Sequence, residues 1–201
     1  MNSILFIQTS LSGAQSQSNL LAQELISKIG QSSDIAVTVR DLTTTELPHL
    51  TASEMQSWQI PVQERTSEQI QLAELSDNLI SELEQHQTLV IALPMYNFGV
   101  PSHFKAWIDR IARAGITFEY TEQGPKGLIN NKKVIVVASR GGVYAGTEKD
   151  SQTQYLKDVL AFLGMDDVTF IYAEGLNMPI REQGLAQARS SINNLLSADL
   201  V

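Results

Sequence analysis

Five short apolar runs recur along this chain, each separated from the next by enough residues for a helix. The runs are "ILFI" (4–7), "IAVTV" (35–39), "TLVIAL" (88–93), "VIVVA" (134–138) and "VTFIYA" (168–173). They are rich in β-branched residues and hardly alternate between apolar and polar positions, which is typical of strands covered on both faces of a parallel sheet. We therefore interpret each run as a buried parallel strand.

Amphipathic helical patterns fill the spaces between these runs. The first has Ser16 or Ser18 as its N-cap and is expected to end at Gly30. A capping box that begins at Thr66 opens the second, and Pro101 opens the third. The last two patterns cover residues 151–163 and 181–196.

The alternation of strand and helix continues through the chain without a visible domain boundary. It predicts one α/β domain over residues 1–201, with a doubly wound five-stranded parallel sheet in the order 2-1-3-4-5 and helices on both faces. Ligands of such sheets bind beyond the carboxyl ends of the strands, where the strand order reverses. The long linker from Asp41 to Arg65 is expected to be a functional lid or an interaction segment.

The composition narrows the classes of partner and chemistry. With 14 Lys and Arg against 22 Asp and Glu, the net charge is 14 − 22 = −8, which disfavours nucleic acids and anionic membranes as partners. The chain has no cysteine, so disulfides and thiolate chemistry are excluded. His49, His86 and His103 lie far apart without a paired spacing, so we expect no metal site. No apolar stretch is long enough for a membrane span and no signal peptide is visible, so we expect a cytoplasmic protein.

Three unusual loops follow predicted strands 1, 3 and 4, which are neighbours in the proposed sheet. The first, "TSLSGAQSQSN" (9–19), contains neither the G-x-x-x-x-G-K-[ST] nor the G-x-G-x-x-G phosphate motif. Its helix N-terminus and the hydroxyls of Ser10, Ser16 and Ser18 can still hold a phosphate with neutral groups alone. The alternative is a capped helix in an ordinary polar turn.

The second loop, "PMYNFGVPS" (94–102), places large apolar side chains where a polar turn is usual. Met95, Tyr96 and Phe98 are suited to form a wall for a flat apolar ligand, and Asn97 can offer an amide to a ring edge. Ordinary core packing at the top of the sheet is the alternative.

The third loop, "SRGGVYAG" (139–146), combines a hydroxyl with two glycines. Gly141 and Gly142 permit positive φ and a close approach of the backbone to a ligand, Ser139 is a donor, and Arg140 is expected to be a solvated charge. Together the three loops would hold a phosphate at one end and a flat ring at the other, and FMN has that shape.

Four segments carry a resemblance to a known family: "SQSN" (16–19), "PMYNF" (94–98), "ARAGITFEYTEQGPKGL" (112–128) and "SRGG" (139–142). They resemble the FMN-dependent NADH-azoreductase family, and the resemblance extends from "ILFIQTS" to "FIYAEGL". It implies a flavodoxin-like homodimeric enzyme with one FMN per subunit and the active site at the subunit interface. Such an enzyme passes two electrons from NADH or NADPH to quinones and azo compounds by a ping-pong mechanism, cleaving the azo bond to aromatic amines.

The resemblance also implies roles for individual residues, by motif. Ser10, Ser16, Gln17 and Ser18 would bind the phosphate and ribityl end of FMN. The isoalloxazine ring would be lined by Met95, Tyr96, Asn97 and Phe98, and its far edge would be closed by Ser139, Arg140, Gly141 and Gly142. Tyr120 and Phe162 look like the aromatic walls over the substrate face. No catalytic side chain is expected, because the cofactor carries the chemistry. Residues 51–66 match least and are expected to approach the partner's flavin, which leaves substrate preference open.

Two other function classes compete with this interpretation. A flavodoxin-type electron carrier would have the same site without a substrate pocket, but the long linker with Met55 and Trp58 favours an enzyme. A phosphatase or esterase that binds an anion is disfavoured because Ser139 lacks a G-x-S-x-G context and no histidine pair accompanies the loops. The choice between NADH and NADPH and the physiological acceptor stay open.

Overall fold

The computed structural model describes residues 2–32, 34–44 and 47–199. Its elements are, in chain order, β1 (Asn2–Gln8), α1 (Gln17–Ser32), β2 (Ile35–Asp41), α2 (Ala52–Trp58), α3 (Ser67–Gln85), β3 (Thr88–Pro94), α4 (Ser102–Ile111), β4 (Phe118–Thr121), β5 (Gly124–Gly127), β6 (Lys133–Ser139), α5 (Ser151–Leu163), β7 (Asp167–Ala173) and α6 (Arg181–Asp199). Short 3₁₀ turns occupy residues 13–15 and 62–64. The ends of the predicted domain and residues 45–46 of the linker lie outside the described residues.

The five predicted strands form one parallel sheet in the order β2-β1-β3-β6-β7, which confirms the predicted order. Successive side chains of a strand point to opposite faces, so each strand serves two apolar layers. Leu5 and Ile7 of β1 pack with α3, α4 and α5, whereas Ile4 and Phe6 pack with α1 and α6. Near-continuous apolar strands suit a sheet with helices on both faces, but the edge strand β2 is an exception. None of its residues is buried and its Val37 and Val39 are exposed, so the interpretation of residues 35–39 as a buried strand was wrong.

Most helix boundaries agree with the sequence pattern. The capping box at Thr66 is present, and α5 covers the predicted residues. The prediction that α1 ends at Gly30 was wrong, because the helix continues to Ser32. Gly30 has no left-handed φ, and glycine ends a helix mainly through that conformation. No described helix combines the length and apolarity needed to cross a bilayer.

The linker after β2 contains a short helix that the sequence did not reveal. α2 begins with a capping box in which Thr51 and Glu54 bond to each other's backbone amides. The Arg110 guanidinium of α4 is fully buried and donates to Glu54 Oε1 (3.1 Å) and to the Pro48 carbonyl (2.7 Å). The Arg113 guanidinium lies 5.2 Å from the centre of the Trp58 ring. These contacts fasten the described part of the linker to α4 and the loop that follows it.

Candidate functional site

A cavity of about 230 Å³ opens at the carboxyl edge of the sheet, beyond β1, β3, β6 and β7. All three predicted loops contribute to its wall: Ser10, Ser12, Gln15, Ser16 and Gln17 from the first, Pro94, Met95 and Tyr96 from the second, and Ser139, Arg140 and Gly141 from the third. Leu176, Asn177 and Arg181, after β7, complete it. The position agrees with the expectation that ligands of such sheets bind where the strand order reverses.

The first loop presents free amide groups at the start of α1. Ser16 is extended, as N-cap residues are, and its Oγ accepts from the Asn19 amide (3.4 Å). The backbone N–H groups of Gln17 and Ser18 have no acceptor among the described residues, as expected in the first turn of a helix. Ser18 itself is buried, bonds to Ser16 Oγ (3.0 Å) and is absent from the cavity wall. A phosphate monoester accepts hydrogen bonds from amides and hydroxyls of this kind.

Tyr96 joins the first loop to the second. Its hydroxyl accepts from the Leu11 amide (3.1 Å) and lies 3.4 Å from Ser10 Oγ. The Ser12 amide in turn donates to Ser10 Oγ (3.3 Å). Tyr96 therefore fixes the conformation of the hydroxyl-rich loop as well as lining the cavity.

The second loop turns sharply after Tyr96. The backbones of Tyr96 and Gly99 exchange two hydrogen bonds (3.2 and 2.9 Å), and the two residues between them, Asn97 and Phe98, have φ of 50° and 65°. Positive φ at both central positions is the signature of a type I′ turn and costs on the order of 1–3 kcal/mol at a non-glycine residue. Phe98 is 51% exposed and packs edge-on against Tyr144, so the core-packing alternative is wrong for this side chain. Neither Asn97 nor Phe98 is part of the cavity wall in this chain.

Arg140 is not the solvated charge that its position in a loop suggests. It is fully buried, forms ion pairs with Asp150 (2.9 Å) and Glu174 (3.1 Å), and lies 4.7 Å above the Tyr172 ring. Its Nη2 also donates to Thr153 Oγ1 (2.8 Å). The expectation was wrong because two carboxylates, one ten residues along the chain and one 34, compensate the charge in the folded chain.

These buried charges shift the pKa values of their neighbours. Burial raises the pKa of the Asp150 carboxyl, but hydrogen bonds from Arg140 and Thr153 outweigh it and leave this pKa below its usual value. Burial raises the pKa of the Tyr172 phenol, against the opposing effects of Thr153 and Arg140. Asp150 is thus an anion and Tyr172 a neutral phenol at neutral pH, and both states suit the guanidinium between them.

One of the two properties expected of the glycines in the third loop, positive φ, was wrong. Neither has positive φ. A Cβ on Gly141 would lie 2.6 Å from Asn177 Nδ2, and a Cβ on Gly142 would lie 2.7 Å from the ring of Tyr144. Both contacts are with the ends of side chains that can shift, and the amides of Gly141 and Gly142 have no acceptor among the described residues, so a close approach of this backbone to a ligand stays a prediction.

The loop between β7 and α6 contributes a wall that the sequence did not reveal. The amide of Asn177 donates to the Gly141 carbonyl (3.0 Å), which brings this loop alongside the third loop. Arg181 is exposed and donates to the Leu176 carbonyl (3.3 Å). A cation thus lines the cavity, so its wall is not made of neutral groups alone. The only available signal was that the loop follows a predicted strand adjacent to strand 4.

Tyr120 and Phe162 lie away from the cavity of their own chain. Both pack against Phe118, with ring centres 5.6 and 4.3 Å apart, and Tyr120 is 74% exposed on the β4–β5 hairpin. α5 begins beside the second loop, where the Ser151 hydroxyl donates to the Phe98 carbonyl. Phe162 lies 11 residues farther along this helix, about 16 Å at 1.5 Å per residue.

Comparison with known proteins gives a consistent result. A family model described as the flavodoxin-like fold matches residues 2–196. The chain is 46% identical over 200 residues to an FMN-dependent NADH:quinone oxidoreductase of Pseudoalteromonas atlantica, covering 98% of this chain and 99% of the relative. It is 50% identical over 195 residues to FMN-dependent NADH:quinone oxidoreductase 6 of Burkholderia lata, covering 96% and 98%. A solved azoreductase of Bacillus anthracis is 25% identical, with a TM-score of 0.86 over 96% of this chain and 100% of that one.

Proposed function

The chain belongs to the family of FMN-dependent NADH:quinone oxidoreductases with the flavodoxin-like fold, and we propose on this basis that it transfers two electrons from NADH to quinones through bound FMN. The observation that carries the proposal is the cavity beyond β1 and β3. Its wall combines unpaired amides at the start of α1 with Tyr96 and the third loop. The unpaired amides are suited to bind a phosphate group, and the wall formed by Tyr96 and the third loop is suited to a flat ring.

Each loop has a defined task in this proposal. FMN, when bound, supplies the hydride and electron chemistry, and the protein binds and orients it. Ser10, Ser16 and the amides of Gln17 and Ser18 would hold the phosphate and ribityl end. The ring would lie against Met95 and Tyr96, with the amides of Asn97 and Phe98 at one edge and residues 139–142 at the other. Preorganised amides at a ring edge stabilise negative charge that develops there.

The finer features of the reaction are proposals for the same site. We propose that donor and acceptor use the exposed ring face in turn, which gives a ping-pong mechanism, and that azo compounds are reduced there as well as quinones. NADH is an intracellular metabolite, which supports a cytoplasmic location.

Oxidation–reduction cycling tests this function. The purified protein is expected to be yellow with FMN, to lose its colour with anaerobic NADH and to regain it with a quinone. Initial rates at varied NADH and quinone are expected to give parallel double-reciprocal lines. A yellow protein that NADH does not bleach would instead identify an electron carrier, and a protein that takes up no FMN would refute both interpretations.

We also propose that the active site is shared between two copies of the chain. Tyr120 is largely exposed, and Phe162 lies far from the cavity of its own subunit, so both are available to cover the ring bound by a second copy. In a homodimer with the active site at the interface, these aromatic side chains would cover the ring bound by the partner subunit.

Mixing two defective variants tests the shared site. Tyr120→Ser is expected to weaken quinone reduction several-fold without loss of FMN, because the aromatic wall is removed. Gln17→Glu is expected to bind FMN weakly, so its own site stays largely empty when FMN is limiting. If Tyr120 acts across the interface, mixed dimers combine an intact first loop with an intact Tyr120, and activity exceeds the sum of the two variants. Activity equal to that sum, or a monomer in sedimentation, would contradict the proposal.

A further inference from the structure

Gln152 connects the third loop to both ends of the second. It is the second residue of α5 and is fully buried. Its Nε2 donates to the carbonyls of Pro94 (3.0 Å) and Gly99 (3.2 Å), and its Oε1 accepts from Arg140 Nε (3.3 Å). One side chain therefore forms hydrogen bonds with three groups from two walls of the cavity region.

Arg140 determines which way the amide of Gln152 faces. A guanidinium has only donors, so the oxygen of the amide must face Arg140 and the NH₂ group must face the two carbonyls. Arg140 is itself held by Asp150 and Glu174, on either side of it in the fold. The orientation of Gln152 is thus fixed by charges rather than by packing alone.

The loop held by Gln152 is the strained one. Pro94 and Gly99 bracket Met95–Phe98, which contains two of the three described non-glycine residues with positive φ, the third being Asn131. Strained backbone persists only where its surroundings fix it, and without the two hydrogen bonds both end carbonyls would lose a buried donor. The Ser151 hydroxyl, which donates to the Phe98 carbonyl, supports the same turn from the adjacent position.

We propose that Gln152 is a positioning residue that holds the Met95–Phe98 loop in the shape that receives the FMN ring, with Arg140 setting the direction of its amide. This inference rests on the proposed function for its consequence. Gln152 is absent from the cavity wall, so its effect on the cofactor acts through the loop.

Two substitutions separate the hydrogen bonds from the volume of the side chain. Gln152→Met keeps the length but removes both donors, and it is expected to weaken FMN binding about tenfold and to shift the visible flavin spectrum and midpoint potential. Gln152→Glu still pairs with Arg140 but turns an acceptor toward two carbonyls, so its loss is expected to be larger. Ser76→Ala is the matched control, because it removes a buried hydrogen bond to the Arg110 carbonyl (2.6 Å) outside the cavity.

A measurement on the FMN-free protein gives a second readout. Hydrogen exchange of the Tyr96 and Gly99 amides, which close the turn, is expected to be faster in Gln152→Met than in the wild type or in Ser76→Ala. Wild-type affinity, spectrum and exchange in both Gln152 variants would overturn the proposal. So would a drop in stability like that of Ser76→Ala with unchanged FMN binding. A wild-type protein that fails to bind FMN would refute the proposed function. Independently of FMN, hydrogen exchange in Gln152→Met that equals that of the wild type would refute the role of Gln152.

Discussion

Replacing Gln17 with glutamate is expected to lower the affinity for FMN about 30-fold or more while the fold stays intact. Gln17 is the first residue of α1 and lines the cavity beside the unpaired amides. A carboxylate there repels a phosphate dianion by about 2 kcal/mol at separations near 5 Å, even with strong screening. The same negative charge is favourable at a helix N-terminus, so the helix itself is not weakened. Flavin fluorescence titration measures the affinity.

Two comparisons isolate the charge effect on the phosphate. Riboflavin lacks the phosphate, so its affinity is expected to be the same for the wild type and Gln17→Glu. Gln23→Glu makes the same change in net charge on an exposed position of α1 away from the cavity, and it is expected to bind FMN normally. Equal losses for FMN and riboflavin would indicate a misfolded loop, and the assignment of the phosphate to this helix end would then be wrong.

Replacing Arg110 with leucine is expected to lower the free energy of unfolding by about 3–5 kcal/mol. The guanidinium is fully buried, and Glu54, its partner, is also buried at the start of α2. Removing one member of such a pair leaves the other charge without compensation in a poorly solvated place. The Pro48 carbonyl would lose its donor as well. Urea unfolding followed by circular dichroism measures the change.

The second member of the pair gives the control. Arg110→Leu combined with Glu54→Gln is expected to recover a large part of the loss, because glutamine is neutral and can still accept from the Thr51 amide. Lys28→Gln, which breaks a partly exposed pair with Glu24 (3.0 Å), is expected to cost less than about 1 kcal/mol. If the double variant is no more stable than Arg110→Leu, the lost stability comes from packing rather than from the buried charge.

The linker and the third loop are stabilised in the same way. In each, a buried arginine is compensated by carboxylates of other elements: Arg110 by Glu54, and Arg140 by Asp150 and Glu174. The third loop, which lines the cavity, is therefore held by ion pairs within the chain itself. Preorganised loops lose less conformational entropy when they bind.

The sequence by itself determined the five parallel strands, their order and the edge at which the cavity lies, whereas the β4–β5 hairpin gave no sequence signal. These features follow from local patterns: continuous apolar runs predict buried strands, and their alternation with helices leaves one common doubly wound order. The three loops that line the cavity were found for the same reason, because the carboxyl ends of parallel strands meet at one edge of the sheet.

The tertiary structure alone decided how the polar groups of those loops are used. Arg140 looked solvated, the glycines suggested positive φ, and Gln152, Asn177 and Arg181 gave no signal. The roles of Gln152 and Asn177 depend on contacts between residues distant in the chain, such as Gln152 with Pro94 and Asn177 with Gly141, and such contacts leave no periodic trace in the sequence. Hydrophobic periodicity records which face of an element is buried, whereas the partner of a buried polar group is set only when the elements pack together.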